Sequence, residues 1–378
     1  MRDRRTAAWA LAVMLAFAVP PTSAQQDEGP ILMPKSAGTM PTVNEVRTLL
    51  TKAKEGDGDA QIKLSVLYYT GDGVQKSYIE SARWCREAAQ KGMAEAELHL
   101  GTLYLQGQGV PKDSETALVW IRKSADQQDV RAEYDLGLLY DHGYAVQKDE
   151  KEAAEWYRKA AEQGDAAAQF NLGLDYVKGE GVQKDSAAGA AWFRKAADQG
   201  DAAAQSRLGD MYDDGDGVET DASQAAKWYR KAAAQGDKSA QNNLGQFYRL
   251  GHGVPMDLAE SARWFRKAAE QGEVQAQISL GTMYSKGVGV QKDSAEAVRW
   301  YRKAADQGNS VAQHNLAILY ISGDGVRQDF ITAYMWASLA ALTDENAKPL
   351  LDRMDTNLSQ AQIAEGKRLT REWLAKHR

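Results

Sequence analysis

Residues 165–200 have the sequence DAAAQFNLGLDYVKGEGVQKDSAAGAAWFRKAADQG, and variants of this stretch fill the chain from residue 57 to residue 344. One tryptophan returns every 36 residues, at Trp84, Trp120, Trp156, Trp192, Trp228, Trp264, Trp300 and Trp336. A tyrosine column from Tyr68 to Tyr320 keeps the same step. A fixed period of this length is typical of proteins built from stacked structural repeats.

Each repeat is predicted to be a helical hairpin. In the first repeat Ala60, Leu64 and Tyr68 have the spacing of one helix face. Gly71 should end this helix, and Ser77 or its aspartate equivalents should cap a second one. A capping box is expected three residues after the cap, at Glu80, Glu152, Gln224, Glu260 and Glu296.

Stacking decides the fold class, because one hairpin cannot bury its apolar face alone. The sequence therefore predicts an all-α protein, a right-handed α-solenoid (superhelix) of eight 36-residue helical hairpins with terminal capping helices. Residues 42–56 are predicted as the N-terminal capping helix, 57–344 as the repeats and 345–378 as C-terminal capping helices. Ser359 and Gln362 should form a capping box there.

The first 24 residues are predicted to be a signal peptide. Arg2, Arg4 and Arg5 precede an apolar run at 7–19, and small residues end at Ala24. A retained membrane anchor is the alternative, but the run is shorter than the roughly 20 residues that a spanning helix needs. Residues 25–41 contain three prolines and no periodicity, which favours a disordered leader. We therefore expect export across the inner membrane to the periplasm.

The charge balance and the cysteine count exclude some classes of partner and of chemistry. The chain has 46 basic and 52 acidic residues, a net charge of -6, which argues against nucleic-acid binding through phosphate contacts. Cys85 is the only cysteine, so no intrachain disulfide can form. It shares a column with large apolar residues such as Ile121 and Tyr157, which predicts a buried side chain rather than a reactive thiol.

The repeat pattern A-x-x-x-L-G-x-x-Y-x-x-G-x-G-V-x-x-D-x-x-x-A-x-x-W-x-x-x-A-A-x-x-G resembles the Sel-one-like repeat family, a relative of tetratricopeptide repeats. The fourth repeat carries it at Ala168, Leu172, Gly173, Tyr176, Gly179, Gly181, Val182, Asp185, Ala196, Ala197 and Gly200. Four positions depart from the family's glycines, namely Ser65, Gln128, Ala145 and Ala317. The resemblance implies an adaptor that scaffolds complexes in envelope signalling, secretion or protein quality control.

No catalytic motif competes with this interpretation. The sequence lacks H-E-x-x-H, G-x-S-x-G, S-x-x-K and a phosphate-binding loop, so we expect a non-enzymatic protein without cofactor or metal. The histidines lack metal-ligand spacing. Asp213, Asp214 and Asp216 invite a calcium interpretation, but they lack the closing glutamate of a helix-loop-helix calcium site.

A glycan-binding function is the alternative. The tryptophan column could stack on sugars, although its alanine neighbours favour a core role. A basic row could hold an anionic glycan, at Arg86, Arg122, Arg158, Arg194, Arg230, Arg266 and Arg302, but acids four residues after most of these arginines should neutralise them. Cysteine-rich members of the family have been associated with β-lactams and cell-wall material, but this chain lacks those cysteines, which weakens that branch. The runner-up function is thus a peptidoglycan or exopolysaccharide binding module, with or without weak β-lactamase-like or cell-wall hydrolase activity.

The first helices are expected to line a concave groove that binds a peptide or helix of a partner protein. The column at residue 62 is Ile62, Leu98, Tyr134 and Phe170, and then Ser206, Asn242, Ile278 and His314. Large apolar side chains that face solvent mark interaction sites, so the first half should anchor apolar groups and the second should hydrogen-bond. The predicted contacts are Leu98, Tyr134, Asp135, Phe170, Asn171, Asp175, Arg207, Asp210, Asn243 and Gln246.

Overall fold

A computed structural model describes residues 41–377. The predicted signal peptide and the leader up to residue 40 lie outside these described residues. Within them the chain forms nineteen α-helices and one 3₁₀ turn, and contains no strand. None of these helices combines the length and the apolar character that crossing a membrane requires.

The helices alternate as the repeat predicts. The helix that precedes the repeats is α1 (Val43–Lys54). The first helices of the hairpins are α2 (Gly58–Thr70), α4 (Ala94–Gln106), α6 (Val130–His142), α8 (Ala166–Lys178), α10 (Ala202–Asp214), α12 (Lys238–Leu250), α14 (Val274–Lys286) and α16 (Ser310–Ser322). The second helices are α3 (Tyr78–Ala89), α5 (Ser114–Asp126), α7 (Glu150–Glu162), α9 (Ser186–Asp198), α11 (Ala222–Ala234), α13 (Leu258–Glu270), α15 (Ser294–Asp306) and α17 (Phe330–Thr343). The last helices are α18 (Lys348–Asn357) and α19 (Gln360–Lys376).

Helix ends follow the predicted caps. Asp165 accepts a hydrogen bond from the Ala168 amide at 2.8 Å, and α8 ends at Gly179, whose φ of 79° is left-handed. Asp149 caps α7 in the same way, at 3.1 Å from the Glu152 amide. These local signals recur in most repeats, and the predicted all-α class with eight hairpins is confirmed.

The capping boxes are only partly as predicted. Ser359 and Gln362 form both bonds of the box. Within the repeats, the predicted capping boxes at Glu80, Glu260 and Glu296 do not form. Each of these glutamates instead forms an ion pair with the arginine three residues later, as Glu260 does with Arg263 at 2.8 Å. A guanidinium is a stronger donor to a carboxylate than a backbone amide.

The two helices of a hairpin approach closely at a glycine. A β-carbon on Gly137 would lie 2.4 Å from the Tyr157 ring, so a large second-helix side chain requires glycine opposite it. The first repeat instead pairs Ser65 with Cys85, and the eighth pairs Ala317 with Ala337. This size compensation explains the two first-helix departures from the family pattern.

The other two departures keep the backbone of the glycine they replace. Gln128 and Ala145 both have φ of 63°, in the left-handed region that side chains disfavour. At Gly181, the equivalent of Ala145 in the next repeat, a β-carbon would meet the Glu150 carbonyl oxygen at 1.9 Å. The third repeat therefore tolerates a strained loop.

The described residues divide into two compact units, 41–195 and 196–377. The described part of each has its own core of alanine, leucine and aromatic side chains. Trp84 and Trp156 are buried in the first unit, as are Trp228, Trp300 and Trp336 in the second. The predicted core role of the tryptophan column is thus confirmed at these five positions, while Trp120, Trp192 and Trp264 are half-buried.

Candidate partner-binding site

The first-helix face consists of the columns of residues 62, 63 and 66, with their equivalents every 36 residues. Two predicted apolar anchors on it are buried: Leu98 is 7% exposed and Tyr134 is 3% exposed. The Tyr134 ring lies 5.9 Å from the Tyr157 ring, and Phe170 is half-buried at 5.5 Å from Phe193. The expectation that these side chains face solvent is therefore wrong for Leu98 and Tyr134.

The physical reason is the spacing of successive hairpins. Leu98 packs in one cluster with Ala132 and Leu136 of the following first helix. Tyr134 does the same one repeat later, against Ala168 and Leu172. Column 62 thus fills the gap between neighbouring first helices, so its apolar members stabilise the stack.

A cavity of about 30 Å³ lies where α2, α4 and α6 meet. Its lining has an apolar part and a polar part, namely Ile62, Val66 and Leu98, and Glu95, His99, Thr102, Arg131 and Asp135. Of the predicted contact residues, the structure brings Leu98 and Asp135 together here. Glu95 and Arg131 belong to a column that sequence reasoning did not single out.

Asp135 is the unusual group of this cavity. It is only 8% exposed, and its Oδ1 receives no hydrogen bond from any residue in the range 41–377. Burial raises the pKa of its carboxyl to about 7, against the opposing effect of the nearby Arg131 charge. Arg131 is itself held by Asp129, at 3.0 Å, and lies 4.0 Å from Glu95. The cavity therefore presents a carboxyl oxygen that no described residue hydrogen-bonds.

The other polar side chains of the lining, His99 and Thr102, are uncharged at neutral pH. His99 Nδ1 lies 3.3 Å from the Ser65 hydroxyl, and burial lowers the pKa of His99 to about 4. The imidazole therefore carries no charge at neutral pH. Thr102 donates to the Leu98 carbonyl at 3.1 Å, which leaves its hydroxyl oxygen able to accept a further bond.

Asp175 and Asn171 stand apart from the cavity, and neither belongs to its lining. Asp175 is buried, and its Oδ2 has no hydrogen-bond donor within the described part of the chain. Burial raises its pKa to about 7, helped by the charges of Asp141 and Glu180. Asn171 is half-buried near the Tyr157 hydroxyl.

In the second unit the predicted contacts Arg207, Asp210 and Asn243 come together. Asp210 accepts from the Tyr229 hydroxyl at 2.8 Å and from Asn243 Nδ2 at 3.3 Å, and Arg207 lies at 3.6 Å. Gln246 is bonded elsewhere, to Arg249 at 2.8 Å. Unlike Asp135, Asp210 finds its donors inside the protein.

Sequence reasoning missed one buried polar column. It contains glutamine or glutamate in all eight repeats, at Gln61, Glu97, Glu133, Gln169, Gln205, Gln241, Gln277 and Gln313. Gln241 donates to the Ala233 carbonyl at 3.1 Å and accepts from Gln271 at 2.8 Å, which links one repeat to the next. The unbroken restriction to these two residue types was the signal that could have revealed it.

Arginines of the basic row hydrogen-bond to tyrosines rather than to the acids predicted as their partners. Arg158 donates to the Tyr176 hydroxyl of the next first helix at 3.3 Å. Arg122, Arg266 and Arg302 do the same with their equivalent tyrosines. The expected ion pairs with acids four residues later are wrong for these arginines, because the stacked tyrosine lies within reach of the guanidinium.

The structure offers little for metal chemistry. Among residues 41–377, no three His, Cys, Asp or Glu side chains are grouped closely enough to hold a metal ion. Asp213, of the calcium alternative, lies 3.0 Å from His252 Nε2. Cys85 is buried as predicted, and burial raises the pKa of its thiol to about 12.

Eight stacked hairpins of this kind define an α-solenoid repeat protein. The Sel1 repeat family model matches residues 58–93, 94–129, 130–165, 166–201, 202–237, 238–273, 274–309 and 310–342. The chain therefore belongs to the Sel1 repeat family, and the predicted resemblance and fold class are confirmed. Sel1 repeats typically mediate protein–protein interaction, and Sel1 solenoid proteins are generally non-catalytic scaffolds.

Solved structures agree with this assignment. A protective antigen of uropathogenic Escherichia coli strains with an SLR fold is 36% identical, with a TM-score of 0.80, over 88% of this chain and 72% of that one. A Sel1 repeat protein from Oxalobacter formigenes is 33% identical, with a TM-score of 0.64, over 91% of this chain and 99% of that one. A comparison with curated proteins finds no match.

Proposed function

We propose that the protein is a non-enzymatic periplasmic scaffold or adaptor that binds partner proteins along the first-helix face, in envelope signalling, secretion or assembly. The proposed location rests on the signal-peptide pattern of residues 1–24. The proposed activity rests on the family, whose repeats typically mediate protein–protein interaction.

The cavity at Asp135 is the observation that carries the binding proposal. A buried carboxyl oxygen without a hydrogen bond costs free energy, and the fold does not need it, since three equivalent positions hold asparagine. Perturbed carboxyl groups of this kind cluster at functional sites. The cavity lies on the first helices, the surface predicted to receive a partner.

The glycan alternative has less support. The second unit has a polar groove of about 690 Å³ whose lining includes Arg266, Arg299 and Trp300. Arg266 donates to Tyr284, and Arg299 is paired with Glu296. The Trp300 indole is buried, so it offers no face for a sugar ring to stack on.

Site-specific photocrosslinking tests the scaffold proposal. We would place p-benzoylphenylalanine at Lys63 and Arg207, which are exposed on the first helices, in cells that produce the protein. Matched controls at Glu155 and Arg263 are exposed on second helices. We expect a discrete protein adduct from the first-helix positions only.

Two results would contradict the proposal. One is an equal yield of the same adduct from both sets of positions, and the other is no protein adduct together with first-helix adducts to peptidoglycan. Cell fractionation tests the location separately. A mature chain that stays in the cytoplasm would rule out the periplasmic role.

A further inference from the structure

We propose that the cavity formed by α2, α4 and α6 binds the ammonium group of a lysine side chain presented by the partner protein. This inference names the chemistry that the first-helix face recognises, and it rests on the proposed scaffold function. Its three supports are the size of the cavity, its lining and its charge.

Size selects a small group. A volume of about 30 Å³ accommodates roughly one water-sized group. A lysine ammonium is compact and sits at the end of a flexible four-carbon stem, whereas a guanidinium is a broad planar fork. Ile62, Val66 and Leu98 supply an apolar wall against which methylene groups can pack.

Charge and bonding select a cationic donor. Asp135 Oδ1 is an acceptor that no residue of 41–377 satisfies, and Glu95 adds a second carboxylate. Arg131 is the only cation of the lining; its charge also acts on Asp135, but its ion pairs are with Asp129 and Glu95. An ammonium has three donors and no acceptor, which matches Asp135 Oδ1 and the Thr102 hydroxyl oxygen. An anion would meet two carboxylates.

Two other occupants fit less well. A divalent metal ion requires several oxygen ligands, and no group of three metal-ligating side chains exists within the described residues. A water molecule has the right size, but it brings no positive charge to the ionised form of Asp135 that exists above about pH 7. The experiment is therefore designed to separate an ammonium from water.

The probe is a pair of capped pentapeptides, acetyl-Ala-Ala-Lys-Ala-Ala-amide and the same peptide with norleucine in place of lysine. Both are titrated into the mature protein labelled at isoleucine and leucine methyl groups, and NMR shifts are followed at Ile62 and Leu98. We expect saturable shifts with the lysine peptide and none at equal concentration with the norleucine peptide. The two peptides share the apolar stem, so the difference isolates the ammonium.

The decisive variant is Asp135→Asn, which keeps the shape of the side chain and removes its charge. Folding should survive, since asparagine stands in this column at Asn171, Asn243 and Asn315. We expect lysine-peptide binding to weaken about tenfold or more, because a buried charge-assisted bond is lost. Asp141→Asn removes the same charge from the same helix at a residue outside the lining, and it should change binding less than about twofold.

The pH dependence gives a second readout. The charged and titratable groups that face Asp135 are Glu95, His99, Arg131 and, farther off, Asp129 and Asp165. Burial raises the pKa of Asp135 to about 7, while His99 stays neutral above pH 5. Lysine-peptide binding should therefore tighten as pH rises from about 5.5 to 8 in the wild type, and much less in Asp135→Asn.

Three outcomes would overturn the inference. They are equal shifts with the norleucine peptide, unchanged binding in Asp135→Asn, and no saturable shift with lysine, which would mean that the cavity holds water only. The scaffold proposal is judged separately, by the Lys63 crosslink in the Asp135→Asn background. If Asp135→Asn loses lysine-peptide binding but keeps the Lys63 crosslink, the partner does not need the cavity. That result would refute the lysine inference and leave the scaffold proposal standing.

Discussion

The two units are built from one repeat, yet they bury different polar groups. In the first unit Glu97 and Glu133 occupy the column that holds Gln241 in the second unit, and Asp135 occupies the column of Asn243. Burial raises the pKa of each of these three acids. At these three positions the first unit carries carboxyl groups, although its other members of the two columns include the amides Gln61, Gln169 and Asn171.

The difference shows that the fold does not require the acids. Asp210, a second-unit acid whose pKa burial also raises, is half-buried and accepts bonds from Tyr229 and Asn243. Asp135 has no such donor for its Oδ1 in the described part of the chain. A buried carboxyl oxygen without a donor, in a column that holds asparagine in three other repeats, favours a binding role.

The largest change in the free energy of unfolding is expected from substitutions in column 62. Tyr134→Ala should lower the free energy of unfolding by about 3–5 kcal/mol, as a buried aromatic truncation. Asn242→Ala, three repeats later and half-buried, should cost less than about 1 kcal/mol. Guanidinium unfolding followed by circular dichroism measures both. Equal losses would mean that column 62 does not distinguish the two units.

The second prediction concerns pH. The folded state keeps the Asp135 proton up to about pH 7, whereas the unfolded chain loses it near pH 4. Stability should therefore fall as pH rises from about 4 to 7, by at most about 1.4 kcal/mol per pH unit for this group. In Asp135→Asn the slope should be shallower, and denaturant midpoints measured at successive pH values test this. A slope identical to that of the wild type would contradict the burial of this carboxyl.

A smaller effect is expected from exchanging the glutamate and glutamine of the missed column. Gln241 donates to the Ala233 carbonyl, which an ionised glutamate cannot do. Glu133→Gln should therefore stabilise the protein by about 1 kcal/mol at pH 7, and Gln241→Glu should destabilise it by a similar amount. Thermal melts of the two variants measure the changes. Shifts of the same sign would show that the column does not act through this bond.

The smallest effect concerns Ala145, which occupies the column of Gly253. Ala145→Gly should stabilise by about 0.5–1 kcal/mol, because glycine adopts the left-handed backbone without a penalty. Gly253→Ala should destabilise more, since its β-carbon would lie 2.1 Å from the Ala222 carbonyl oxygen. A melt in which Ala145→Gly loses stability would show that the loop is not strained.

Part of the candidate site could be predicted from the sequence. The first helices and their variable columns pointed to Leu98 and Asp135, and both line the cavity. The burial of Leu98 and Tyr134 could not be predicted from the column alone, because it depends on the distance between hairpins 36 residues apart. Glu95 and Arg131 could not be predicted to join Leu98 and Asp135, since nothing in the spacing of their column suggests a shared cavity.

The sequence by itself determined the period, the two helices of each repeat and most helix ends. These follow from interactions within a few residues, such as the cap of Asp165 on the Ala168 amide. Only the tertiary structure decided which buried polar groups find a hydrogen-bond partner. The Arg158 bond to Tyr176, the size match of Gly137 with Tyr157, and the unused oxygen of Asp135 arise between elements brought together by stacking. Their geometry depends on how whole hairpins pack, and no local pattern encodes it.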